Sequence, residues 1–102
     1  DFFSQPADGP PPRFDLILLG LGDDRHTASL FPGKPALNAA GWVTHSEPGE
    51  LPPPVDRVTL TFPALNAARA VLFLVTGAKK AAPLLDVRNG EHALADAPAA
   101  GV

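Results

Sequence analysis

The sequence predicts an α/β fold, an open and mainly parallel sheet flanked by helices, on two observations. Residues 16–19 and 71–75 are continuous apolar runs, LILL and VLFLV, of the length and composition of strands buried on both faces of a parallel sheet. Each run leads through a glycine-bearing turn into residues able to start a helix, and strand-turn-helix alternation is the pattern of parallel α/β architecture.

Taken in chain order, residues 1–13 are rich in proline, glycine and aspartate and read as a loop. The first strand, bounded by Asp15 and Gly20, follows. Gly20 and Gly22 let the backbone turn sharply and approach a ligand closely. Residues 27–31 are expected to form a helical turn or two, stopped by Pro32 and Gly33. This layout puts Asp23, Asp24, Arg25 and His26 at the carboxyl end of a strand, where open α/β sheets bind ligands.

Residues 34–40 read as irregular or as a short helix, and residues 42–44 as a brief strand. Residues 49–54 form a stiff, proline-rich connection. RVTLTF, residues 57–62, alternates threonine with branched or apolar residues and reads as a strand, and Pro63 suits the first turn of the helix after it. After the strand at 71–75, a helix is expected from Lys79 through Val87, with Pro83 tolerable only in its first turn. The tail from residue 89 is mainly Ala, Pro, Gly and acidic residues.

Thirteen prolines and nine glycines in 102 residues interrupt the chain often, and its separate strand-like blocks need partners, so part of a larger domain is expected. A net charge of −3 argues against a general nucleic-acid binder, which needs a basic surface. The absence of cysteine removes disulfides, thiolate catalysis and cysteine-based metal sites. No apolar run reaches the length of a membrane span and no secretory signal is visible, so a soluble cytoplasmic protein is expected.

Three blocks, in order, carry a resemblance. LILLGLGDDRHTASLFPG is similar to the motif LLGMGxDGHTASLFPG, RVTLTFPALNAAR to RxTLTxPxLNxAR, and VLFLVTGAKKA to a block ending VTGxxKA. These motifs resemble those of the 6-phosphogluconolactonase family, within the larger group that includes glucosamine-6-phosphate deaminases. The resemblance implies an open, mainly parallel, Rossmann-like sheet, incomplete in this chain. Residues 1–102 would be a partial domain of that kind, lacking the family's N-terminal half and extreme C-terminus. The implied activity is hydrolysis of 6-phosphoglucono-1,5-lactone to 6-phosphogluconate in the pentose phosphate pathway, without metal or organic cofactor. The implied partner is that small sugar phosphate lactone.

His26 matches the family's catalytic histidine, and an imidazole suits proton transfer from an attacking water to the leaving ring oxygen. From the residues alone, packing or capping at a helix start is the alternative. Asp24 matches the motif aspartate and either orients the imidazole, binds a substrate hydroxyl or caps the following helix. Asp23 falls at the motif's variable position and reads as a solvated turn residue. Arg25 departs from the motif, which has glycine there; glycine suggests a positive φ or close backbone approach to substrate, and arginine is poorly suited to both. Its side chain either swings outward or occupies the sugar site.

Lys80 and Arg57, two of the cations inside the matching blocks, are candidate phosphate ligands, with a structural salt bridge the alternative for Arg57. Lys79 and Arg69 read as surface charges, and Leu30, Phe31 and Trp42 as core. Ser29 lacks the strained elbow of a catalytic serine. His45 and His92 have no ligand-spaced partners, so no metal site is expected. Two alternatives to a lactonase remain. One is an inactive or noncatalytic fragment of the same fold. The other is a deaminase-like isomerase, whose related motif GxDGHxAFNEPG carries a glutamate where this chain has Phe31.

Overall fold

The structure, a computed structural model, describes residues 12–50, 52–90 and 93–102. The N-terminal loop expected up to residue 13 lies almost wholly outside the described residues, as does His92.

The described elements are β1 (Ile17–Leu19), β2 (Val43–Ser46), β3 (Arg57–Leu60), α1 (Phe62–Asn66), β4 (Val71–Phe73) and α2 (Ala81–Asn89), with short 3-10 turns at Pro35–Asn38, Ala78–Lys80 and Pro98–Gly101. The two apolar runs pair as expected: β1 and β4 are parallel, in the register Ile17 to Val71, Leu18 to Leu72 and Leu19 to Phe73. β2 and β3 form a separate antiparallel pair, with Thr44 opposite Thr59 and Ser46 opposite Arg57. The architecture is thus mixed α/β with a parallel pair at its centre.

The helix expected after the strand at 57–62 forms, but β3 stops at Leu60 and α1 begins at Phe62, the residue expected to end that strand. Pro63 sits in its first turn, and Thr61 caps it by accepting a hydrogen bond at Oγ1 from the Ala64 amide at 3.3 Å. As part of the crossover between β1 and β4, α1 sends Leu65 into the core formed with Ile17, Leu19, Leu30 and Ala36. Leu30 and Leu65 are completely buried, which contributes about 2 kcal/mol each.

The burial on both faces expected of these strands is not seen among the described residues. Ile17 and Leu19 face the core, but Leu18 is 56% exposed and Leu72 49% exposed. Among the described residues α1 covers one face of the pair, and alternate side chains of a strand point to opposite faces.

The second helix is also shifted. A 3-10 turn at Ala78–Lys80 leads into α2 at Ala81, so Pro83 does fall in the first turn, and the helix runs on to Asn89 before Gly90 stops it at a φ of +66°.

The helix expected at 27–31 is absent. The segment is a tight turn in which the Leu30 amide donates to the Thr27 carbonyl and Ala28 has a φ of +49°. Side chains claim its backbone instead: Thr59 Oγ1 accepts from the Ser29 amide at 3.0 Å, and Ser46 Oγ donates to the Ser29 carbonyl at 2.5 Å. Such bonds offer the backbone an alternative to the helical ladder. The β2-β3 pair is what clamps this turn.

Among the described residues no helix is long and apolar enough to cross a membrane. The tail contributes more than its composition announces, for Ala97, Pro98 and Ala99 are buried and the Ala99 amide donates to the Arg25 carbonyl at 3.0 Å.

Candidate active site

Because β1 and β4 are parallel, the loops leaving their carboxyl ends meet at one edge. The loop after β1 carries His26 and the loop after β4 carries Lys80, and the two residues line the same two cavities, of about 450 and 250 Å³, together with Gly22 and Ala28. Gly20 lines the larger cavity; Asp23, Phe31 and Arg57 line the smaller. A separate cavity of about 580 Å³, bordered by Lys34, Phe62 and Leu94, has no histidine or carboxylate among the described residues that line it.

The loop is closed by its own backbone. The Arg25 amide donates to the Gly22 carbonyl and the Gly22 amide to the His26 carbonyl, both at 2.9 Å. Within it, Asp24 Oδ1 accepts from the His26 amide at 3.1 Å and lies 2.5 Å from His26 Nδ1. A carboxylate only accepts, so Nδ1 carries the proton and Nε2 is left as the basic nitrogen. This contact is of the kind that orients an imidazole, and the bond from the His26 amide is of the capping kind.

Gly22 is required by the imidazole rather than by its own backbone angles. A Cβ there would lie 1.9 Å from His26 Nδ1 and 2.8 Å from Asp24 Oδ1. At Gly20 a Cβ would meet nothing within 4 Å; its carbonyl instead accepts from Thr27 Oγ1 at 2.8 Å.

Phe31, read from sequence only as core, is buried and also braces the site. Its ring lies 4.7 Å from the His26 ring, and the Arg57 guanidinium carbon stands 5.3 Å from its centroid. No local signal marks this double role, since it depends on residues brought in from β3. Arg57 Nη2 donates to the Pro53 carbonyl at 3.1 Å, whereas Nη1 is buried and has no hydrogen-bond partner among the described residues. The alternative of a structural salt bridge is not what Arg57 shows: no ion pair of it is formed among the described residues.

Lys80 Nζ lies 2.8 Å from Asp23 Oδ1. That hydrogen bond first, and the ammonium charge second, hold the Asp23 carboxyl below its ordinary value of 3.8. Asp23 is therefore a paired residue, not merely a solvated one.

Arg25 has a φ of +71°, the conformation that glycine adopts freely. Its side chain turns away from both His26 cavities: Nε donates to the Asp96 carbonyl at 3.0 Å and Nη1 reaches Asp86 of α2 at 3.4 Å. Arg69 pairs with Asp15 at the surface and His45 with Asp56. Among the described residues no group of three or more histidines and carboxylates is placed to hold a metal.

The sequence model of the family described as "Glucosamine-6-phosphate isomerases/6-phosphogluconolactonase" matches residues 2–102. The chain belongs to this family.

Within this glucosamine-6-phosphate isomerase/6-phosphogluconolactonase family, a rice protein (Oryza sativa subsp. japonica) named "Probable 6-phosphogluconolactonase 4, chloroplastic" is 52% identical over 71 residues, 69% of this chain and 22% of the relative. The 6-phosphogluconolactonase of Rattus norvegicus is 51% identical over 73 residues, 72% of this chain and 28% of the relative. The chain thus spans about a quarter of the length of these curated relatives. Among solved structures, a 6-phosphogluconolactonase from Thermotoga maritima superposes with a TM-score of 0.76 at 40% identity, covering 88% of this chain and 38% of that one. One from Trypanosoma brucei gives 0.73 at 38% identity, over 87% and 36%.

Proposed function

We propose that the protein hydrolyses 6-phosphoglucono-1,5-lactone to 6-phosphogluconate, with residues 1–102 forming part of a larger lactonase domain. The observation that carries this reading is the cavity of about 250 Å³ that His26, Lys80 and Arg57 line together. Nη1 of Arg57 is buried with no partner among the described residues, a cost of about 1–3 kcal/mol that an anion brought within its reach offsets. The names of the similar proteins from rat, Thermotoga maritima and Trypanosoma brucei support the same activity.

In this mechanism Lys80 and Arg57 hold the phosphate and so fix the lactone carbonyl against His26. Water attacks the carbonyl carbon while Nε2 of His26 takes its proton, and Asp24 steadies the imidazolium through Nδ1. Backbone amides or a nearby donor carry the oxyanion of the tetrahedral intermediate. Its collapse breaks the bond to the ring oxygen, which receives the proton from His26, and the ring opens to a hydroxy acid. Phe31 disfavours the deaminase-like alternative: a buried phenyl ring cannot move a proton where that motif places a glutamate.

The test is lactone hydrolysis by the full-length protein, followed as acid release with the spontaneous rate subtracted. His26→Asn should lower kcat by about 10²–10⁴-fold, the usual contribution of a general base. Near-normal turnover by that variant would dismiss His26 as the base.

A further inference from the structure

We infer that Asp23 is a specificity-determining residue of the anion site, a carboxylate that holds the Lys80 ammonium until a phosphate displaces it. The inference rests on the reading of Lys80 as a phosphate ligand and adds a competitor to it.

The two cations of the small cavity are held differently. Arg57 is fixed by its bond to the Pro53 carbonyl and its position over Phe31, and its buried Nη1 has no partner among the described residues. Lys80 is occupied, by a carboxylate 57 positions earlier in the chain that lines the same cavity. Asp23 has only acceptor oxygens, so it cannot share an oxygen anion with Lys80 without repulsion. It is also 54% exposed at the side chain, so it can rotate into water at little cost when an anion arrives.

The pair therefore sets a threshold. A singly charged ligand offers Lys80 no more charge than Asp23 already supplies, whereas a phosphate monoester dianion offers about twice as much and also meets the Arg57 side chain that lines the same cavity. A neutral lactone without phosphate leaves the pair closed. Asp23 thus favours phosphorylated ligands by making them compete, at the expense of some affinity.

Calorimetric titration of the full-length protein with inorganic phosphate at fixed ionic strength tests this in a double-mutant cycle of Asp23→Asn and Lys80→Gln. Asp23→Asn should tighten phosphate binding about two- to fivefold, the range expected for release of an exposed ion pair, and most of the gain should vanish in the Lys80→Gln background. No gain from Asp23→Asn, while Lys80→Gln weakens phosphate, overturns the competition and leaves the phosphate site standing. An equal gain in both backgrounds also overturns it, showing repulsion that does not pass through Lys80. Unchanged phosphate binding in Lys80→Gln overturns the phosphate site itself and the inference with it.

Discussion

Gly22→Ala perturbs the candidate base without touching either proposed phosphate ligand. The added Cβ would stand 1.9 Å from His26 Nδ1 and 2.1 Å from Cε1. To restore ordinary van der Waals separation the imidazole must retreat about 1.5 Å. Backbone movement offers little relief, because the Gly22 amide and carbonyl are tied to His26 and Arg25. The bond between Nδ1 and Asp24 cannot survive such a shift. A 1 Å misplacement of a catalytic group costs about 10²-fold, and the whole contribution of a general base is about 10²–10⁴-fold. In the full-length protein kcat for lactone hydrolysis should therefore fall about 10²-fold or more, while KM stays within about threefold of its starting value because phosphate anchoring is intact. A thermal melt and the His26 ring resonances separate local displacement from unfolding. A folded variant with unchanged kcat would refute the claim that Gly22 makes room for a working imidazole.

Two further predictions concern the neighbouring loop residues. Arg25→Gly relieves the cost of a side chain at a φ of +71° but gives up the contacts to Asp86 and the Asp96 carbonyl, so stability should change by no more than about 1 kcal/mol in denaturant titration. Its lactonase rate should match the parent within about twofold, and a tenfold rise would mean that Arg25 intrudes on the sugar after all. Asp23 has a carboxyl held down by Lys80, so the stability its pair contributes is complete above the ordinary value of 3.8 and is lost as pH falls through the lowered one. Carbon NMR titration of that carboxyl should give a midpoint below 3.8, moving back toward it in Lys80→Gln; a midpoint at or above 3.8 in the parent would contradict the pair.

What the sequence made legible was local or carried by motif. The two apolar runs needed only their composition to be read as parallel strands, and Thr61 and Pro63 announce the start of α1 by chemistry confined to one helical turn. The positive φ at position 25 is one of the two readings that the motif's glycine suggests there. What stayed hidden depends on residues far apart in the chain. The turn at 27–31 reads as a helix until Ser46 and Thr59 claim the Ser29 backbone, and Thr59 is 30 positions away. The tie between Asp23 and Lys80 spans 57 positions and leaves no periodicity to detect. Leu18 and Leu72 are as apolar as their neighbours, so nothing in their composition reveals which face α1 covers. Ala97, Pro98 and Ala99 are small residues whose burial follows from the tail's docking at the Arg25 carbonyl.

The central claim is that one cavity joins a proton acceptor to a phosphate site, and a crystal structure of the full-length protein with 6-phosphogluconate tests it most directly. The phosphate is expected between Lys80 Nζ and the Arg57 guanidinium, with the Asp23 carboxylate displaced and the ligand's carboxylate beside His26 Nε2. Phosphate bound elsewhere, for example at Lys34 in the cavity bordered by Phe62 and Leu94, with His26 unengaged, would contradict it.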